Sequence, residues 1–379
     1  MTAKKATGSP GRVIPPEGLD RLIKALARDG FSVLGPRVED GAVTYAPIDG
    51  TGDLPLDVID EQDGGSYRLK SKKGAGYFAH VVGPHSWKRY LYPPRQKLWG
   101  ARRTRSGFSI EPPQPESPRH AFIGVRSCEL RAMQIHDRMF DNGDFADPGY
   151  LQRREAAFVV AVNCGRAGDT CFCVSAGGGP GVESGYDLLL TEFAGAKRLE
   201  FLVQAGSARG TKVLSRMRTG RAATAADVRA AGRLVDKAAK SMGRELPADA
   251  AAILRRNLEH PHWQKVAERC LNCANCTMVC PTCFCTTVED RTSLDGEQAE
   301  RWRSWDSCFT LDFSYIHGGA TRRAGSARYR QWITHKLSSW HEQFGTSGCT
   351  GCGRCITWCP VGIDITEEVK TLSGQGRRA

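Results

Sequence analysis

Two cysteine-rich stretches decide the fold: residues 270–281 read CLNCANCTMVCP, and residues 349–360 read CTGCGRCITWCP. Both have the spacing Cys-x2-Cys-x2-Cys-x3-Cys-Pro. Three closely spaced cysteines let one loop surround a face of a cubane iron–sulfur cluster, and in two-cluster ferredoxins the fourth cysteine ligates the other cluster. The repeated motif therefore predicts two [4Fe–4S] clusters in the C-terminal third of the chain.

This exchange of the fourth cysteine assigns the ligands. We expect the first cluster to be bound by Cys270, Cys273, Cys276 and Cys359, and the second by Cys349, Cys352, Cys355 and Cys280. Zinc sites also use CxxC pairs, but a zinc ribbon combines two separated pairs around each ion. A CxxCxxCxxxCP run that occurs twice therefore favours iron–sulfur clusters over zinc.

Seven of the fifteen cysteines lie outside the two motifs, and four of them suggest a further site. Cys128 and Cys164 each follow a predicted strand, at the sheet edge where ligands bind in open α/β folds. Cys171 and Cys173 come next, before a glycine-rich turn at 177–181. A third cluster bound by Cys128, Cys164, Cys171 and Cys173 is one hypothesis. Small buried thiols without a redox role are the alternative.

The last three cysteines are Cys283, Cys285 and Cys308. The tetrapeptide Thr-Cys-Phe-Cys occurs at 282–285 as well as at 170–173. Three thiols alone leave a cubane one ligand short, so we favour packing or supporting roles beside Cys280 over another metal site.

Composition favours a cytoplasmic protein and argues against binding to membranes or nucleic acid. Residues 1–18 contain no apolar leader, and runs such as 157–162 are too short to cross a bilayer. Reduced thiols and clustered cysteines fit the cytosol. The net charge of +12 comes from scattered lysines and arginines without a nucleic-acid-binding motif, and the negative clusters offset part of it.

The pattern of the chain predicts an α/β N-terminal domain followed by an α-helical-ferredoxin-like domain with the two clusters. We expect a disordered lead-in at 1–15, the α/β domain at 16–220, the helical dicluster domain at 221–370 and a flexible tail at 371–379. The predicted elements are a helix at 19–27, strands at 31–34 and 43–46, irregular strands and loops at 47–118, strands at 121–125 and 157–162 joined by a helix at 128–140, strands at 186–191 and 199–203, and helices within 224–269 and 327–344.

Sites for a terminal reaction are missing from the sequence. No GxGxxG follows a strand, so a Rossmann dinucleotide site is not encoded, and no HExxH zinc motif occurs. Lys88, in the segment Ser86–Tyr90, could contact a partner or an anionic group, but we favour an ordinary solvated lysine. The chain is thus expected to conduct electrons between other subunits.

Several stretches together resemble one protein family. They are Gly124–Ala132, Asn163–Cys173, Cys270–Cys285 and Trp305–Cys308. They resemble the β subunit of sulfhydrogenase-type cytosolic [NiFe] hydrogenases and the related iron–sulfur subunit of anaerobic sulfite reductases, over roughly residues 15–370. The resemblance implies a complex in which a flavin- and NAD(P)-binding subunit exchanges electrons through the clusters with a catalytic subunit.

Three functional hypotheses remain open from the sequence. The first is an electron-relay subunit of a soluble [NiFe] hydrogenase, or alternatively of an anaerobic sulfite or sulfur reductase. The second is a self-contained enzyme that reduces a disulfide or another sulfur compound with the extra cysteines. The third, a redox-sensing DNA-binding protein, predicts a salt-dependent affinity for DNA.

Overall fold

The computed structural model describes residues 11–112, 119–195 and 198–374. The strands are β1 Arg12–Ile14, β2 Ser32–Glu39, β3 Ala42–Pro47, β4 Val58–Asp63, β5 Ser66–Ser71, β6 Arg95–Thr104, β7 Gly107–Glu111, β8 His120–Val125, β9 Phe158–Val162, β10 Leu188–Gly195, β11 Arg198–Ala205, β12 Arg221–Ala222, β13 Thr286–Thr292, β14 Gln298–Trp305, β15 Tyr315–Ile316 and β16 Gly319–Ala320.

The helices are α1 Pro16–Arg28, α2 Lys88–Leu91, α3 Ser127–Phe140, α4 Pro148–Ala156, α5 Ala208–Arg216, α6 Ala225–Lys240, α7 Ala250–Arg256, α8 His262–Arg269, α9 Asn275–Met278, α10 Gly325–Thr334, α11 Trp340–Phe344, α12 Arg354–Thr357 and α13 Ile365–Leu372. A π-helical turn, His335–Ser339, joins α10 to α11. Within the described residues, no helix combines the length and the apolar character needed to cross a bilayer.

The N-terminal half is built on an eight-stranded mixed sheet in the order β12-β1-β11-β10-β9-β8-β2-β3. Four neighbouring strands of this sheet, β10, β9, β8 and β2, are parallel. Strand β9 is buried along its whole length because helices cover both faces of the sheet. Val160 packs on the side of α1, and Val159 packs on the side of α3 and α4. The predicted parallel pair of strands and its crossover helix are confirmed.

A second sheet, in the order β13-β14-β6-β7, was not expected from the sequence. Strand β14 pairs antiparallel with β6, although about 200 residues separate them in the chain. The part beyond residue 220, expected to be mostly helical, therefore contributes strands to a sheet with the N-terminal half. Helix α6 packs through Ala231 on Leu202 of the large sheet. The division at residue 220 stays a prediction.

Both ends of the chain differ in part from expectation. Residues 12–14 of the expected disordered lead-in form β1, which pairs with β11, so that part of the prediction was wrong. Residues 1–10 lie outside the described residues. The expected tail at 371–379 starts within α13, and its residues 375–379 also lie outside the description.

Helices form the core of the C-terminal part. Leu254 of α7, Val266 of α8, Ile333 of α10 and Val369 of α13 are buried in one apolar cluster. The helix predicted at 327–344 is confirmed as α10, the π-helical turn and α11. This helical core holds both cysteine motifs.

A buried ion pair ties the second cysteine motif to the N-terminal half. The Arg354 guanidinium is fully buried and lies 2.8 Å from a carboxylate oxygen of Glu129 on α3. It also donates to the carbonyl oxygens of Gly83 and His85. The other Glu129 oxygen accepts a 2.7 Å hydrogen bond from the Tyr45 hydroxyl. Because each charge is buried, each depends on its partner.

We predict that Arg354→Met lowers the free energy of unfolding by about 3–5 kcal/mol, because it leaves the Glu129 charge buried and unpaired. Anaerobic urea unfolding followed by circular dichroism measures this loss. The double variant with Glu129→Gln should recover part of it. Arg301→Ala, which breaks the exposed pair with Asp290, should cost about 1 kcal/mol or less. Equal losses in the two single arginine variants would contradict the prediction.

Candidate metal centres

The two cysteine loops have the same backbone conformation, 79 residues apart. Asn272 and Ala274 in the first loop have φ of 54° and 63°, and Gly351 and Gly353 at the corresponding positions have φ of 66° and 77°. Each loop then enters a four-residue helix, α9 or α12. Two residues in the left-handed conformation let a short loop curve around a bound group on its inner side.

Both loops also direct a backbone N–H at a cysteine sulfur. The N–H of Asn272 donates to Cys270 Sγ at 3.4 Å, and the N–H of Gly351 donates to Cys349 Sγ at 3.4 Å. Such hydrogen bonds stabilise negative charge on sulfur and tune iron–sulfur clusters. The loop geometry therefore fits thiolates that carry a cluster.

The first set of thiols consists of Cys270, Cys273, Cys276 and Cys359, and all four line one cavity. The first three come from one loop, and Cys359 comes from the end of the other motif. Phe309, Tyr329 and Trp332 form apolar walls of the same cavity. The four side chains that the spacing assigns to one cluster thus lie around one cavity, which Cys355 also lines.

The second set consists of Cys280, Cys349, Cys352 and Cys355. Cys280, Cys349 and Cys352 are buried. Burial, followed by the neighbouring thiols of the other three, raises the pKa of the Cys355 thiol well above its usual value. The four side chains therefore lie together. Burial likewise raises the pKa of the Cys349 thiol to about 12, so metal binding has to release the protons of Cys349 and Cys355.

The third set consists of Cys128, Cys164, Cys171 and Cys173, and these four also line a single cavity. Cys128 lies in the first turn of α3, shortly after β8, and Cys164 follows β9, so both lie at the carboxyl edge of the parallel strands. The turn at 177–181 closes over them, since the Cys164 N–H donates to the Pro180 carbonyl at 3.0 Å.

The third set lies directly beside the second. Cys352 lines the cavity of the third set, and the Cys171 thiol is 3.9 Å from the Cys352 carbonyl oxygen. The Phe172 N–H donates to the Gly351 carbonyl at 2.9 Å. A Cβ at Gly351 would come within 2.5 Å of the Cys173 backbone, so this contact requires glycine.

The remaining cysteines form two close pairs, one of which includes Cys280. The Cys283 thiol interacts with that of Cys280, and the Cys285 thiol interacts with that of Cys308. The hydrogen bond from Cys308 lowers the pKa of Cys285 to about 7, and Lys336 contributes to this shift.

Two buried lysines in this region were not identified as functional from the sequence. The prediction of a solvated Lys88 was wrong: Lys88 is buried, its ammonium lies 3.8 Å from the centre of the Trp305 ring, and burial lowers its pKa to about 8. Lys336 is also buried. The sequence did contain an indication that Lys336 is buried, because Lys336 lies at helical spacing from the apolar residues Ile333 and Trp340.

The cysteines of the first and third sets surround cavities. Within the described ranges, no three His, Cys, Asp or Glu side chains form a group that would hold a single metal ion. Thiols around a space, with N–H groups directed at sulfur, suit a multinuclear cluster.

Comparisons with known proteins agree with this geometry. A family model described as a 4Fe-4S dicluster domain matches residues 269–363. Sulfhydrogenase 2 subunit beta of Pyrococcus furiosus is 33% identical over 253 residues, which cover 66% of this chain and 72% of that protein. No solved structure matches significantly. The chain therefore belongs to the sulfhydrogenase β-subunit family and is an iron–sulfur protein of electron transfer with 4Fe–4S clusters.

Proposed function

We propose that this protein is a relay that carries electrons through three [4Fe–4S] clusters, one in each set of thiols. The observation that carries the proposal is the cavity lined by Cys270, Cys273, Cys276 and Cys359, because a cysteine of the second motif closes the site of the first. When bound, each cluster accepts and donates one electron at a time.

The contacts between the three sets of thiols support an order of the clusters along the path of the electron. Cys355, a proposed ligand of the second cluster, also lines the cavity of the first set. Cys352, another proposed ligand of the second cluster, lines the cavity of the third set. The second cluster would therefore stand between the other two, and an electron would cross only cysteine side chains and adjacent backbone at each step.

The chain would also control contact with solvent and partners. Cys273 and Leu271 are exposed, Leu271 to 62%, so the first set is open at the protein surface. The second set is enclosed by the helical core and by residues 170–173. A redox partner at Leu271 would thus reach the first cluster directly, while the protein keeps water away from the second.

We further propose the partners that the family resemblance implies. The related P. furiosus protein is the β subunit of a sulfhydrogenase. For this chain we propose a flavin- and NAD(P)-binding subunit on one side and the catalytic subunit of a cytoplasmic [NiFe] hydrogenase on the other, with no terminal active site in the chain itself.

The cluster count is tested by iron analysis. Anaerobically prepared protein should contain about twelve irons and about twelve inorganic sulfides per chain, four of each for every cluster. The double variant Cys171→Ser/Cys173→Ser should lose about four irons, because it removes half of the third set. Cys308→Ser, a control outside all three sets, should retain them all. About eight irons in the unmodified protein would reject the third cluster.

The exchange of ligands is tested by comparing single variants. Cys359→Ser should alter the same EPR signal of the dithionite-reduced protein as Cys276→Ser, because both belong to the first set. Cys280→Ser should instead alter the signal affected by Cys349→Ser. The assignment is wrong if Cys280→Ser and Cys276→Ser affect the same cluster.

The relay itself is tested in the purified complex. Variants of the first or second set should reduce hydrogen-dependent reduction of NAD(P) at least about tenfold, while hydrogen-dependent reduction of a viologen dye by the catalytic subunit persists. The alternatives give other results: turnover of polysulfide by the isolated chain would indicate a self-contained enzyme, and co-purification with a sirohaem subunit would indicate a sulfite reductase.

A further inference from the structure

Lys336 occupies an unusual position for a lysine. It lies in the π-helical turn between α10 and α11 and is only 6% exposed. Its ammonium donates to Cys280 Sγ at 3.3 Å, to Thr282 Oγ1 at 2.8 Å and to the Gly348 carbonyl at 3.0 Å. All three donor positions are therefore used inside the protein.

The charge of Lys336 has no ordinary counterion. Among the described residues, no aspartate or glutamate forms an ion pair with it. Its contacts are two neutral oxygens and the sulfur of Cys280. A buried ammonium is costly unless negative charge lies beside it, so the sulfur of Cys280 and whatever that sulfur binds have to supply this charge.

The lysine also joins the two ends of the second set. Gly348 immediately precedes Cys349, and Thr282 follows Cys280 by two residues. The Thr282 hydroxyl lies 3.1 Å from Cys280 Sγ and itself donates to the Gly348 carbonyl. Lys336 therefore fixes the Cys280 side chain relative to the loop that provides the other three thiols.

The first set differs: Arg328 lies near Cys270, but among the described residues no lysine or arginine donates a hydrogen bond to a sulfur of this set. The residues that line its cavity include neither lysine nor arginine. The two motifs share their spacing and backbone, so the difference arises from what packs against them.

We propose that Lys336 is a positioning residue that holds Cys280 and raises the reduction potential of the second cluster, an inference that rests on the proposed function. Reduction adds one negative charge to the cluster. A cation beside a ligand sulfur, in a site of low dielectric constant, stabilises the reduced state more than the oxidised state. Lys336 therefore makes this cluster easier to reduce than the same thiols would without it.

The test is an EPR-monitored redox titration of the anaerobic, cluster-loaded chain. At the midpoint potential of the unmodified second cluster, Lys336→Met should decrease the ratio of reduced to oxidised cluster at least tenfold, which corresponds to about 59 mV for a one-electron couple. The signals of the other two clusters should keep their midpoints. Lys336→Arg should restore most of the potential, and Lys265→Met, which alters an exposed lysine on α8, should change nothing.

A second measurement uses the unmodified protein, so its result does not depend on whether a variant folds. In unmodified protein labelled with ¹⁵N-lysine, pulsed EPR of the reduced second cluster should detect a coupled lysine nitrogen. An unshifted midpoint in Lys336→Met, or the absence of this coupling, would overturn the role of Lys336 while leaving the relay intact. Protein without iron or EPR signals would instead refute the proposed function.

Discussion

The closure of one cysteine loop by a residue of the other is the constraint on which the C-terminal part depends. Cys359 reaches the cavity formed by Cys270, Cys273 and Cys276 only if the intervening chain folds back on itself. Helix α10 lies in this intervening chain and packs with α8 and α13, and the buried residues of the three helices form one apolar cluster with the thiols at its edge. The helical core and the metal centres therefore depend on each other, because neither loop completes a cavity alone.

Local sequence patterns predicted the elements that are determined by local chemistry. The fully apolar stretch of β9, the helical spacing of α1 and the two cysteine motifs follow from neighbouring residues alone. The position of Cys128 and Cys164 at one sheet edge also followed, since it needs only the order strand–helix–strand and the parallel pairing. Much of the candidate site could thus be deduced before the fold was known.

Features that depend on distant contacts were not predictable in this way. Strand β14 is exposed or half-buried along its length, and nothing in its sequence indicates that β6 is its partner. The environments of Lys88 and Lys336 arise from the meeting of α2 and the π-helical turn with the segment after Cys280. Burial of a charge depends on which groups surround it, and those groups come from separate parts of the chain.

The two cysteine loops differ in their exposure to solvent, and clusters bound in them should therefore differ in their stability in air. Cys273 lies at the surface, whereas Cys280, Cys349 and Cys352 are enclosed. A cluster in the first set would meet dioxygen without any movement of the protein, whereas attack on one in the second set would require local unfolding. In the proposed relay, brief aeration should therefore damage the terminal carrier before the middle one, disconnecting the chain from its partners while most of its iron stays in place.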